Sequence, residues 1–517
     1  MAIPPRGTLR AEAGAALTRR QILASAVALA QPARPRPNIL FLMTDQHRFD
    51  CIGANGNRLI RTPNLDRLAA RSANFQNAFV QAPVCVPSRV SFFTGRYPHS
   101  HRNRVNYTPA DEREILLQRM LKDTGYQTGA AGKLHYHPPT SEHARSTGFD
   151  RVFLDDGVAK TDPYSGYVKW RESNDPQAHL PYNATVTDPG GGNPFRGVIG
   201  YRYTPTAWVG ERTVDLLKEF TAAGRPFFLF SSFFKPHAPY TVPEPYHAMF
   251  DGIEIPLPKQ VTLEYIQSLP LPVQKQILRG APPYAMDRAR LKWIYRSYYG
   301  AVAMVDYEIG RILDALEASG QAENTIIVFS TDHGDQLLEH GLEGKNVFFE
   351  SSVHIPLMIS YPGAVRPSRY QELVETVDVV PTLLELAGVA APQRVQGRSL
   401  APLMTGRPYQ ARETVFAENI IPEVITSGRL KYEYAPGAGV GGIPHPDAKM
   451  ARTGRWKLNH YPGRDGELYD LREDPGEWRN LYRDPAHREI RERLQASLLD
   501  WMITADESDQ IAPRWLL

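Results

Sequence analysis

Five apolar runs, each the length of a single strand, recur along the chain at residues 38–44 (NILFLMT), 126–131, 226–232, 325–330 and 355–360. They lack the polar alternation of a half-solvated strand and are bounded by Pro, Gly or polar residues, so each reads as a strand buried on both faces. Between them lie stretches with helical spacing of apolar residues, at 62–73, 112–124, 206–223 and 288–319, the first with Pro63 at its first helical position. Alternating strand and helix predict an α/β fold: a large mixed, mainly parallel sheet sandwiched by helices. Two segments dominated by Pro, Gly and polar residues, 155–206 and 251–287, read as surface insertions.

Past about residue 412 the pattern changes. Short strand-like pieces at 414–418, 429–434, 449–453, 456–460 and 468–471 precede a helical stretch at 485–502. These predict a small C-terminal antiparallel sheet plus helix. The expected organisation is a leader and linker over 1–37, an α/β domain over 38–411 and the C-terminal subdomain over 412–517.

Charge is informative mainly through its distribution. The 59 basic and 56 acidic residues leave a net +3. Arg6, Arg10, Arg19 and Arg20 against Glu12 put 4 − 1 = +3 in the first thirty residues, so the rest sums to zero. That distribution excludes a general nucleic-acid-binding surface. The apolar run 22–30 is too short for a bilayer of about 30 Å and ends in Ala28-Leu29-Ala30, which reads as a cleavable export signal. The pair Arg19-Arg20 resembles the twin-arginine signal of bacteria, which predicts a periplasmic or secreted protein. No later apolar run reaches 18 residues, so no membrane span is expected.

Ligands of open α/β sheets gather at the carboxyl ends of strands. The first predicted strand ends in Thr44-Asp45-Gln46, and the fourth in Thr331-Asp332-His333-Gly334-Asp335. Two carboxylates, an amide oxygen and an imidazole from these ends suit a hard or borderline divalent cation. Between them in sequence stands Cys85-Val86-Pro87-Ser88-Arg89. With two Cys, 44 Pro and 59 basic residues, a Cys-x-Pro-x-basic match arises by chance about 0.02 times.

With its continuation Val90-Ser91-Phe92-Phe93-Thr94-Gly95-Arg96-Tyr97-Pro98, this element resembles the signature of the sulfatase family of the alkaline phosphatase superfamily. Thr62-Pro63-Asn64-Leu65-Asp66, Gly132-Lys133-Leu134-His135, Lys235-Pro236-His237, Asp332-His333-Gly334, Gly344-Lys345 and Glu467-Leu468-Tyr469-Asp470-Leu471 follow in family order. The resemblance implies that Cys85 is converted to formylglycine (3-oxoalanine) by a formylglycine-generating enzyme. Its hydrated aldehyde would supply a geminal diol, one oxygen of which attacks the sulfur of an anionic sulfate ester with help from Asp332. His237 is the implied acid for the leaving alcohol, and His135 the base that lets the second oxygen expel sulfate. Arg89, one turn past Cys85 on a helix opened by Pro87, would orient the diol, and Lys133 and Lys345 would clamp sulfuryl oxygens. Asp45, Gln46, Asp332 and His333 are the implied ligands of one divalent ion, joined by the converted Cys85.

Two positions depart from the commonest pattern: Gln46 replaces a second Asp and His333 an Asn. The His variant resembles iduronate-type sulfatases, and the two together resemble phosphonate monoester hydrolases. Calcium is the expected ion, with manganese open because imidazole is not a preferred calcium ligand. Hydrolysis of phosphonate or phosphate monoesters is the runner-up reaction, and an inactive protein that binds sulfated glycans is the reading of another class. His99 and His101 stand between a substrate contact and a surface position. Cys51 has no partner if Cys85 is modified, which excludes a disulfide.

Overall fold

The computed structural model describes residues 35–506 apart from 107, 157–164, 186–193, 279–286, 421–446, 462 and 464. Eight strands make the main sheet: β1 (Asn38–Asp45), β2 (Ala73–Phe79), β3 (Gln127–Gly132), β4 (Arg151–Leu154), β5 (Phe227–Pro236), β6 (Thr325–Thr331), β7 (His354–Ser360) and β8 (Ser368–Glu375). Their order across the sheet is β4-β3-β5-β1-β6-β7-β2-β8. β1 is central and parallel to both neighbours, with Phe41 opposite Phe230 and Val328. β7 runs antiparallel to β6 and β2, so the sheet is mixed but mainly parallel.

The apolar runs follow from this placement. Side chains alternate across a strand, and both faces of β1 meet helices. Ile39, Phe41 and Met43 join the core on one side with Phe92 and Phe93 of α1 (Cys85–Thr94). Leu40 and Leu42 join the other side with Trp208 and Leu216 of α2 (Pro205–Ala222) and Ile309 and Ile312 of α3 (Arg288–Ala318). Each such fully buried side chain contributes roughly 1.5–3 kcal/mol.

A second, four-stranded antiparallel sheet has the order β12-β11-β10-β9, from β9 (Thr414–Ile420), β10 (Asp447–Thr453), β11 (Trp456–Tyr461) and β12 (Asp465–Asp470). Leu494, Leu498 and Trp501 of α4 (Arg488–Asp506) pack with Ala451, Leu458 and Leu468 of this sheet.

The five apolar runs are β1, β3, β5, β6 and β7, and the expected fold class is observed. Three strands were not expected. The tail of the stretch read as helix 62–73 turns at Arg71 and enters β2, while β4 and β8 are polar or short strands at the two sheet edges. The helix expected at 112–124 contracts to Leu117–Lys122. The insertions hold short helices of their own, Gly166–Asn174, Leu263–Ser268 and Leu271–Ile277. The leader 1–30 and the strand expected at 429–434 lie outside the described residues. Among the described residues no helix is long and apolar enough to cross a membrane.

Candidate active site

The carboxyl ends of β1 and β6 lie side by side, with Thr44 opposite Thr331, so Asp45-Gln46 and Asp332-His333 emerge together. Gln46 turns away with a left-handed φ of 66°, and its N–H is donated to Asp332 Oδ1 at 3.1 Å. Such a backbone in a non-glycine residue costs of order 1–3 kcal/mol and persists only where surrounding contacts impose it. Here Tyr298 Oη donates to the Gln46 carbonyl at 2.7 Å. Gly334 is required for close approach, because a Cβ there would lie 1.9 Å from the Ser351 carbonyl oxygen.

Cys85 is the first residue of α1, and Pro87 sits at its third position, still within the first turn where Pro is tolerated. Sequence reading placed Pro87 at the helix opening. The observed start puts the thiol itself at the positive end of the helix. Cys85 Sγ lies 3.1 Å from Lys345 Nζ and 3.2 Å from His333 Nε2. Burial works to raise its pKa, but the Lys133 and Lys345 ammonium groups hold it well below the usual thiol range.

Arg89 is fully buried and ties four elements together. Its Nε donates to Asp332 Oδ2 at 2.8 Å, and Nη1 donates to the Lys133 carbonyl at 2.8 Å and Ser232 Oγ at 2.9 Å. Lys133 follows Gly132, whose φ of 94° and contact with Ser232 exclude a side chain. Its ammonium pairs with Asp45 Oδ2, and burial is outweighed by that carboxylate, so its pKa rises. Against the opposing effect of burial, Lys133, His237, Lys345 and Arg89 hold the Asp45 carboxyl well below the carboxylate range.

The two remaining histidines follow the carboxyl ends of β3 and β5. His135 has a left-handed φ of 58°, and Asp156 Oδ1 fixes the turn by accepting the N–H of Leu134 at 2.9 Å and of His135 at 3.0 Å. His237 donates its backbone N–H to the Asp45 carbonyl at 3.1 Å, and its Nδ1 lies 2.6 Å from the Ala238 carbonyl. Burial and then the Lys345 ammonium push the His237 imidazole down to about 3. His99 and His101 turn inward instead of lining a surface: His99 Nδ1 is 2.6 Å from Glu418 Oε1, and His101 Nε2 is 3.0 Å from Ser91 Oγ. Cys51 is a buried free thiol, as is Cys85.

The donor set fits a divalent ion. Ligand atoms of Asp45, Cys85, Asp332 and His333 all lie within 4.8 Å of one another, and Asp45 Oδ1 is buried without a hydrogen-bond partner. Every side chain singled out from the strand ends and the Cys85 element thus falls in or beside one cluster. Asp156, Ser232, Tyr298 and Asp335 belong to its support and were not singled out. Only Asp335 had a signal, its place in the polar run after β6.

Comparison with known proteins decides the family. The sulfatase family profile matches residues 37–389. The chain belongs to the sulfatase family. An arylsulfatase of Clostridium perfringens is 31% identical over 417 residues, 75% of this chain and 82% of that one. The multifunctional alkaline phosphatase superfamily protein PehA of Trinickia caryophylli is 28% identical, covering 91% of this chain and 96% of its own. The phosphonate monoester hydrolase of Agrobacterium radiobacter superposes with a TM-score of 0.79 at 27% identity, over 91% of this chain and 96% of the other. As a sulfatase family member this chain is an enzyme of the sulfuric ester hydrolase class, and its two-sheet architecture is the alkaline phosphatase-like fold.

Proposed function

We propose that this sulfatase cleaves sulfate monoesters with Cys85 converted to formylglycine, and that Asp45, Gln46, Asp332 and His333 hold one divalent ion, calcium or manganese. The observation that carries this reading is the packing of Lys345, His333 and the Arg89 turn around the Cys85 side chain, at the positive end of a helix. The cysteine sulfur marks the position of the nucleophilic oxygen after conversion; the modified residue supplies a hydrated aldehyde. When bound, the ion neutralises charge on the sulfuryl oxygens and lowers the pKa of an oxygen ligand.

The chain's own groups account for the rest. Lys133 and Lys345 are cations aimed at an anionic group, each a compact point charge. Arg89 makes no contact with solvent and fixes Asp332 and the Lys133 turn in relation to Cys85. His237 is neutral before substrate arrives, and the negative charge of a bound sulfate ester favours its protonation, which readies it to protonate the leaving alcohol. His135, held by Asp156, is the proposed base for release of sulfate. Sulfated carbohydrate is the proposed substrate class. Maturation would need a formylglycine-generating enzyme, and export the Arg19-Arg20 signal. Replacing both arginines by lysine should leave precursor in the cytoplasm.

The test is peptide mass spectrometry of the Cys85 segment after co-expression with that enzyme, with turnover measured in parallel. A mass about 18 Da below the thiol form should accompany activity. Full activity with an unmodified thiol would overturn the mechanism. Gln46 with His333, together with the likeness to a phosphonate monoester hydrolase, favours one alternative, phosphonate or phosphate monoester hydrolysis at the same centre. Comparing kcat/KM on aryl sulfate, phosphate and phosphonate esters separates the two.

A further inference from the structure

Gln46 presents a primary amide, whose oxygen and NH2 ends are alike in shape and opposite in hydrogen bonding. Its Nε2 donates to Asp335 Oδ2 at 2.6 Å, while its Oε1 accepts from Lys345 Nζ at 2.8 Å. Asp335 is fully buried; Tyr240 Oη donates to the same Oδ2 at 2.9 Å, and the Leu337 N–H to Oδ1 at 2.9 Å. A carboxylate whose two oxygens are engaged only by donors can meet nothing but the NH2 end of the amide.

The geometry points to Asp335 as a positioning residue that turns the Gln46 amide so that its oxygen faces the ion cluster. The negative charge that a second aspartate would bring directly to the ion sits here one residue further out, and reaches the ion through an oriented dipole. This rests on the reading of Asp45, Gln46, Asp332 and His333 as an ion site. It assigns the role of an acidic residue that touches neither substrate nor ion.

The test titrates chelator-treated full-length protein with Mn²⁺ alone and with Ca²⁺ alone by isothermal calorimetry. In Asp335→Asn the new NH2 faces Gln46, the amide turns over, and its own NH2 is presented to the ion. Affinity should fall about 10- to 100-fold, the usual loss when a group supporting a ligand is removed. The exchange variant Q46E/D335N restores an acceptor toward the amide introduced at position 335 and an oxygen toward the ion, and should regain most of that affinity. A merely structural role for Asp335 would not be rescued by Q46E. Unchanged affinity in D335N, or a soluble double variant that binds no better than D335N, overturns the inference. If D335N is insoluble, a soluble ion-binding double variant supports the exchange, and failure of both to fold overturns it. Wild-type protein that binds neither ion would instead overturn the ion-site reading.

Discussion

Two buried clusters of charge differ in what their cations face. At the carboxyl ends of β1 and β6, Asp45 and Asp332 stand with Lys133, Lys345 and Arg89, Asp335 lies one residue further out behind Gln46, and Asp45 Oδ1 and Arg89 Nη2 lack hydrogen-bond partners. Where β10 and β11 meet the short helix Glu350–Val353, Lys457 Nζ lies 3.0 Å from Glu350 and 2.8 Å from Glu477, and Arg452 lies 3.4 Å from Glu350. In that second cluster two cations face two carboxyl groups, and Arg452 Nε and Glu477 Oε1 lack hydrogen-bond partners as well. A buried charge is costly unless paired. The second cluster therefore reads as a fastening between the small sheet and the chain that follows Lys345. The first cluster gathers its cations around Cys85, where an anion brought from outside would meet them.

Replacing the proposed nucleophile should have the largest effect. Cys85→Ala should lower turnover of an aryl sulfate at least about 10⁴-fold, measured at saturating substrate. Next is Lys457→Met, which leaves the buried Glu477 without its cation and Glu350 with Arg452 alone, and should cost about 3–5 kcal/mol in denaturant unfolding, with turnover per folded molecule unchanged. Lys345→Met should do the reverse: about 100- to 1000-fold in kcat, with stability level or raised. Equal losses of stability in the two lysine variants would erase the distinction between the clusters.

The difference between these regions also tracks what the sequence makes legible. Strands covered on both faces announce themselves as unbroken apolar runs, so β1, β3, β5, β6 and β7 are readable. β8 lies at the sheet edge with Ser368, Arg369 and Gln371 in water, and β2 runs as ANFQNAF without an apolar stretch, so neither carries that mark. In the site, groups that would touch substrate or ion sit in short motifs at strand ends and can be named from order alone. Asp156, Ser232, Tyr298 and Tyr240 act through contacts with residues 21 to 252 positions away, a distance no local pattern encodes. Lys457 and Glu477 are invisible for the same reason.

A pH dependence follows from the second cluster. Burial pushes Glu477 up to about 7 from an ordinary 4.5, with Lys457 working against it. The carboxyl stays protonated in the fold at pH values where the unfolded chain has already released the proton. Its contribution to stability is therefore full below about pH 4.5 and is lost as pH rises toward 7. Unfolding free energy measured between about pH 4.5 and 7 should fall less steeply in Glu477→Gln than in wild type. Parallel slopes would mean that Glu477 is ionised throughout.

The smallest expected effect separates charge from shape inside the same cluster. The Arg452 guanidinium lies over the Phe79 ring, 4.7 Å from its centroid, and Nη1 donates to the Thr453 carbonyl at 3.0 Å. Lysine at this position keeps the positive charge near Glu350 but loses the flat face that stacks on Phe79 and the fork that reaches Thr453. If the cluster fastens the sheets by charge balance, Arg452→Lys should cost only about 0.5–1 kcal/mol, the worth of the ring contact, and leave kcat unchanged. A loss as large as that of Lys457→Met would instead make stacking on β2, rather than charge pairing, the contact that holds the small sheet in place.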